Sequence, residues 1–242
     1  MKVGNLEIGY DHPTFVIAEI CSNIINHLHR LIPVIQSVAE TGATGIKCQL
    51  FKVDHFPESE RDAKRLLEFP RNLFPAFVEL AHANKLLAGA SVFDAEAVQL
   101  CVDNGADFLK LATREFQNNV LLAACIDSNL PIFQSYDSNL YPHGLMGTDC
   151  VLRLACDPHY PSHTPKIIGG WSGDEFFPND NWGWSSHTDT HWIDCLIAVS
   201  RRACVIEKHI GFHRDDLEMG WSLYPDQFRK MVEEIRMTEK MR

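Results

Sequence analysis

Eight short apolar runs alternate with stretches of helical spacing along this 242-residue chain, and that alternation restricts it to a fold built on a parallel sheet. Strands are expected at Phe15 to Ile20, Gly45 to Phe51, Leu86 to Val92, Ala106 to Ala112, Leu130 to Ser135, Cys150 to Ala155, a faint seventh near Trp182 to Ser186, and Ala203 to His209. Helical spacing falls between them at about 31–41, 73–84, 95–104, 118–128, 190–201 and 225–241, with Gly42 and Gly105 standing where helices should stop. Eight strands in strict alternation predict a (β/α)8 or TIM barrel, one domain over residues 1–242. An open doubly wound sheet is the alternative, but no G-x-G-x-x-G follows any strand. Two connections should be irregular: Tyr136 to Asp149 is too short for a normal crossover helix, and Pro161 to Trp184, rich in Gly, Pro, Asn and Trp, reads as a long functional loop.

The formal net charge of −10 argues against a nucleic-acid surface, so any anionic ligand must be held by a few local cations. No apolar run reaches 18 residues and Met1 to Asn5 does not open a signal peptide, so a cytoplasmic protein without a membrane partner is expected. The eight cysteines are scattered without C-x-x-C spacing and read as small hydrophobes rather than a zinc knuckle or redox pair.

Chemistry gathers at the C-terminal ends of the expected strands, the active-site face of such a barrel. The eighth strand runs Ala203-Cys204-Val205-Ile206-Glu207-Lys208-His209, and period-two alternation puts Glu207 and His209 on one face with Val205. Glu19 closes the first strand, Lys47 and Gln49 share a face of the second, Lys110 lies in the fourth, Ser135 ends the fifth and His187 follows the seventh. Two lysines in apolar strands imply an anion or carboxylates inside the barrel. Structural pairing of Lys47 with Glu19 and Lys110 with Glu207 is the plainer reading of the same residues.

In order along residues 14 to 237, these blocks resemble the N-acetylneuraminate (sialic acid) synthase family. Phe15-Val16-Ile17-Ala18-Glu19-Ile20 and Lys47-Cys48-Gln49 resemble its opening. Phe93-Asp94 resembles its P-F-D, Lys110-Leu111-Ala112-Thr113 its K-I-A-S, Asn118 with Leu121-Leu122 its N-x-P-L-L, and Tyr160-Pro161 its Y-P. Ser185-Ser186-His187-Thr188 is similar to S-D-H-T, Ile206-Glu207-Lys208-His209 to I-E-K-H, and Ser222 to Pro225 closes the series.

The resemblance implies a metal-dependent aldol-type condensation of phosphoenolpyruvate with an aldose resembling N-acetylmannosamine, giving a 2-keto-3-deoxy sugar acid and phosphate. It implies a divalent cation, Mn2+ first and Mg2+, Co2+ or Zn2+ as alternatives, held by His187 and His209. Lys47, Lys110, Thr113, Ser135 and Ser185 match positions holding phosphoenolpyruvate, Gln49 and Tyr160 match further substrate contacts, and Glu218 best matches an acidic residue before the final Ser, with Asp215 or Asp216 as alternatives. Glu19 matches a carboxylate near the reacting carbons, and Glu207 could orient the lysines or a metal-bound water. A homodimer is a further expectation.

Several positions depart from the pattern. Asn23-Ile24 stands for N-H, Ser186 for the Asp of S-D-H-T, Pro158 for an Asn, and Gln134-Ser135-Tyr136-Asp137 for a strand-five S-T-G, which should fill a place where backbone approaches ligand. The family's C-terminal antifreeze-like domain does not follow the barrel, so acceptor recognition should differ. A metal-dependent hydrolase or epimerase acting on a sugar phosphate and a non-catalytic sugar-binding relative are the competing readings. His191 makes a helical His-x3-His pair with His187, and Trp171, Trp182, Trp184, Trp192 and Trp221 could stack on a sugar or simply pack.

Overall fold

A computed structural model describes residues 1–65, 67–140, 147–163, 181–189 and 191–241, side chains included except at 22, 25–28 and 63. Eight parallel strands close into a barrel: β1 (Phe15–Glu19), β2 (Gly45–Leu50), β3 (Leu87–Val92), β4 (Phe108–Leu111), β5 (Ile132–Asp137), β6 (Val151–Cys156), β7 (Trp182–Ser186) and β8 (Val205–Ile210). Each pairs with the next, and β8 closes the ring by pairing with both β7 and β1, His209 lying opposite Glu19. The expected strands are all present, most within one or two residues at each end, and the faint seventh falls on the predicted segment.

Around the barrel lie α1 (Leu31–Glu40), α2 (Glu58–Arg65), α3 (Phe74–Ala83), α4 (Ala95–Asp103), α5 (Asn119–Asp127), α6 (Ile193–Ser200) and α7 (Pro225–Glu239). Asp94 caps α4 by accepting from the Ala97 amide at 2.7 Å, and Asn118 caps α5 through the Leu121 amide at 3.1 Å. α2, a hairpin of Lys2–Val3 with Leu6–Glu7, and the short strand Ser222–Leu223 beside β8 were not anticipated. Among the described residues, the connection from β5 to β6 carries turns and no helix. Most of the expected functional loop, 164–180, and Trp171 with it, lies outside the described residues, as does Thr190, where α6 was expected to begin.

Alternation along each strand separates two interiors. Val16, Ala18, Ile46, Cys48, Leu109 and Leu111 face outward into the main core beneath the helices. Phe15, Ile17, Phe108, Phe133, Leu152, Leu154 and Val205 face inward with Val3 and Ile8 of the hairpin, filling the N-terminal end of the barrel. Phe15, Phe108 and Phe133 meet with ring centroids 5.3 to 5.9 Å apart. Inward-facing glycines make the room: a Cβ on Gly89 would lie 2.3 Å from the Phe108 ring, and one on Gly183 2.3 Å from Leu154. One turn further along the same faces the interior becomes polar.

Candidate active site

The polar interior comes from residues two positions beyond the apolar floor. Glu19 follows Ile17, Lys110 follows Phe108, Ser135 follows Phe133, Ser185 follows Gly183, and Glu207 and His209 follow Val205, so alternation alone brings them to one end of the barrel. Glu19, Lys47, Gln49, Lys110, Thr113, Ser135, Tyr160, Ser185, His187, Glu207 and His209 line one small cavity of about 30 Å3. A larger one, about 480 Å3, shares Gln49, Thr113, Tyr160 and His209 with it and adds Glu218, Trp221 and the aromatic wall Phe51, Phe56 and Phe93. Every site residue expected from the sequence therefore reaches this mouth.

Two ammonium groups and two carboxylates sit deepest. Lys47 pairs with Glu19 and donates to Ser91 Oγ at 2.8 Å, while Lys110 donates to Ser135 Oγ at 2.7 Å and to the Leu111 carbonyl at 3.3 Å. Glu207 lies 3.7 Å from each lysine and accepts from Ser185 Oγ at 2.8 Å. The pairing Lys47–Glu19 and Lys110–Glu207 thus holds, but Glu207 spans both lysines. An ammonium carries three donors, so each lysine keeps one hydrogen beyond its two partners. Glu207 Oε2 is buried without a hydrogen bond among the described residues. Burial lowers the Lys47 pKa to about 8 against the opposing pull of Glu207. Burial works to raise the Glu207 carboxyl, but Lys110, Lys47 and the Ser185 hydroxyl overcome it and bring it to about 2.

The histidines stand at the rim with ring centroids 5.7 Å apart. His187 Nδ1 donates to the Asp157 carbonyl at 2.7 Å, which directs the Nε2 lone pair toward the Tyr160 hydroxyl at 2.9 Å and Ser185 Oγ at 3.3 Å. Burial, with His209 adding to it, lowers the His187 pKa to about 3, so the ring is neutral. His209 Nδ1 meets Glu218 Oε2 at 3.0 Å. Hydrogen-bonded outer partners of this kind fix the tautomer of a metal-ligating histidine. Both residues thus have the chemistry of ligands to a divalent ion.

Some expectations change. Tyr136 turns away from the cavity and packs 6.4 Å from Phe116 in the outer core, so that member of the strand-five substitution fills no ligand space. His191 precedes α6 instead of lying in it and lies 3.5 Å from Asp189, away from the mouth. Trp182 and Trp184 are core residues, Trp192 donates to Glu234, and only Trp221 of the described tryptophans lines the mouth. Asp216 caps the Phe212 and His213 amides, leaving Glu218 as the acid beside His209. Ser91, Asp157, Cys21 and Asn23 went unpredicted. Asn23 lay in a quoted block, but its bonds to the Glu218 amide and the Ile210 carbonyl, 3.0 and 2.9 Å, join segments nearly 200 residues apart.

Known proteins agree with this architecture. The chain is 23% identical over 270 residues to the spore coat polysaccharide biosynthesis protein SpsE of Bacillus subtilis, covering 98% of this chain and 71% of that one. It is 26% identical over 263 residues to the N,N'-diacetyllegionaminic acid synthase of Legionella pneumophila, covering 93% and 72%. The crystal structure of the N-acetylneuraminic acid synthetase of Leptospira borgpetersenii superposes with a TM-score of 0.83 at 23% identity, over 100% of this chain and 89% of that one. The model of the NeuB family matches residues 147–242, the segment holding Tyr160, Ser185, His187, Glu207, His209 and Glu218. By these matches residues 147–242 are similar to the NeuB family, the chain is similar in sequence along most of its length to SpsE and to the legionaminic acid synthase, and it shares the barrel fold of the N-acetylneuraminic acid synthetase.

Proposed function

We propose that this chain is a synthase of sugar acids that condenses phosphoenolpyruvate with an aldose, consuming one water and releasing phosphate and a 2-keto-3-deoxy sugar acid. The observation that carries the reading is the pair of buried lysines, each with an ammonium hydrogen to spare, in one cavity with two histidines. A ligand with a phosphate and a carboxylate needs two such cations in a site screened from water. Lys47 and Lys110 hold those anionic groups, with Thr113, Ser135 and Ser185 contributing hydroxyl donors. Gln49 and Tyr160 contact the acceptor at the outer cavity.

His187 and His209 fit a divalent cation, because each has its Nδ1 engaged by an oxygen acceptor and Nε2 left as a ligand atom. Such an ion, when bound, supplies Lewis-acid polarisation of the acceptor aldehyde. Glu19 exchanges a proton at Oε2 with the Lys47 ammonium it touches, and Glu207 Oε2 is a free acceptor for the water that the reaction consumes.

The test is phosphate release from phosphoenolpyruvate by metal-loaded protein offered a panel of aldoses, N-acetylmannosamine among them. Acceptor-dependent release is expected. Absence of release with every acceptor, from protein shown to bind a divalent ion, would overturn the synthase reading.

A further inference from the structure

A second set of donor atoms lies beside His209, at its Nδ1. The Cys21 sulfur is 2.9 Å from Glu218 Oε1, and Glu218 Oε2 is 3.0 Å from His209 Nδ1. One ligand atom from each of the three lies within 4.8 Å of the other two. Cys21 and His209 are buried, and Glu218 is half-buried. The three come from separate segments, the turn after β1, β8 itself and the loop after β8, and Asn23 clamps those segments together by donating to the Ile210 carbonyl and accepting from the Glu218 amide. Cys21 also takes a positive φ of +34°, and its amide donates to Glu19 Oε1 at 2.6 Å, so its position is fixed by the same strand end that supplies Glu19.

We propose that Cys21, as its thiolate, and Glu218 join His209 as ligands of the divalent ion, so that the site selects Zn2+, Co2+ or Fe2+ over Mn2+. The proposal rests on the metal-assisted reading above, moves the ion from His209 Nε2 to the Nδ1 side where Glu218 and Cys21 stand, and changes its identity. Thiolate and imidazole favour borderline metals, whereas Mn2+ prefers carboxylates, carbonyls and water. The loading step balances simply: the Cys21 S–H bond breaks, the sulfur–metal bond forms, and the proton, now bonded toward Glu218, leaves to solvent. One proton is released from Cys21 per ion bound. His187 keeps its Nε2 against the Tyr160 hydroxyl and stays outside this ligand set.

Co2+ is the probe, added to the full chain after chelator treatment. The expected result is a thiolate-to-cobalt charge-transfer absorption in the near ultraviolet that saturates at a single ion per chain. The band should vanish in Cys21→Ser and persist in Cys101→Ser. Zn2+ should displace the Co2+ at equimolar amounts, while Mn2+ should fail even in roughly tenfold excess. Cys21→Ser and Glu218→Gln should each weaken Co2+ binding about tenfold or more, with the metal-free proteins melting as the parent does. Co2+ binding without the band, or a band indifferent to Cys21→Ser, would overturn the assignment. If that binding is then abolished by His209→Ala or His187→Ala, the two-histidine reading stands without Cys21; if the parent chain binds no divalent ion, both readings fall.

Discussion

The two faces of β8 bury the same kinds of charged group and leave them in opposite states. On the outer face, Lys208 donates to Ser186 Oγ at 3.1 Å, the Thr188 carbonyl at 2.7 Å and Thr188 Oγ1 at 3.0 Å, using all three of its hydrogens. Asp194, near it, accepts from Trp184 Nε1 at 2.7 Å and from Thr188 Oγ1 at 3.2 Å. On the inner face Lys47 and Lys110 each hold a hydrogen in reserve, and Glu207 Oε2, 3.7 Å from Lys47, has no hydrogen-bond partner among the described residues. A saturated buried network holds chain segments in place, and an unsaturated one is preset for a ligand. Lys208 grips the residues either side of His187, so the outer network positions what the inner one uses.

Four experiments probe that contrast. Lys208→Met should be the most damaging, because it removes three buried hydrogen bonds from a charged donor together with the cation whose charge Asp194 faces, and a loss of about 3–5 kcal/mol is expected in urea denaturation. A loss under about 1 kcal/mol would mean that the outer network is not saturated in solution. Lys110→Met should tilt the balance the other way: Glu207 keeps Lys47 and Ser185, so the unfolding free energy should fall less than in Lys208→Met, while affinity for phosphoenolpyruvate, by calorimetry, should drop about 100-fold, or about 2.7 kcal/mol. An equal cost in stability would erase the distinction between the faces.

The pH profile is a finer test. Lys47 has a folded pKa of about 8, below the ordinary lysine value, so its ammonium is lost as pH rises through that value and phosphoenolpyruvate affinity should fall with a midpoint at or somewhat above 8. Between about 8 and 10.5 the unfolded chain binds more protons at this residue, so the ligand-free protein should gain stability from it over the range in which binding is lost. Glu207→Gln removes the charge that raises Lys47 and should move the binding midpoint lower. Glu207 runs the other way: with a folded value of about 2, its stabilising contribution is whole above about 4.5 and disappears as pH falls toward 2. Tyr160→Phe should be the mildest change, removing one hydroxyl contact to His187 for about 0.5–1.5 kcal/mol of acceptor affinity.

Much of this was legible because barrel strands carry their information locally. Alternation sorted Lys47, Glu207 and His209 from their outward neighbours, while Gly42 and Gly105 marked helix ends by their own chemistry. α2 escaped because Glu-Ser-Glu-Arg-Asp-Ala-Lys-Arg has no apolar stripe to give a period. The partner of His187 escaped for another reason. It is the backbone carbonyl of Asp157, and a carbonyl has no sequence signature. Cys21 was read as one more small hydrophobe, and its neighbours Glu218 and His209 are nearly two hundred residues away. Within the Gln134 to Asp137 block, parity removes Tyr136 from the expected crowding, since that residue is one position from Ser135 and so on the opposite face.

The aromatic floor of Phe15, Phe108 and Phe133 makes the barrel a well with one opening among the described residues. Whatever sits against Lys47 and Lys110 lies beneath whatever sits against Trp221, so arrivals and departures form a stack: the anion first in and its phosphate last out. Inorganic phosphate should therefore compete with phosphoenolpyruvate for the empty protein, and an aldose bound early should block the way down.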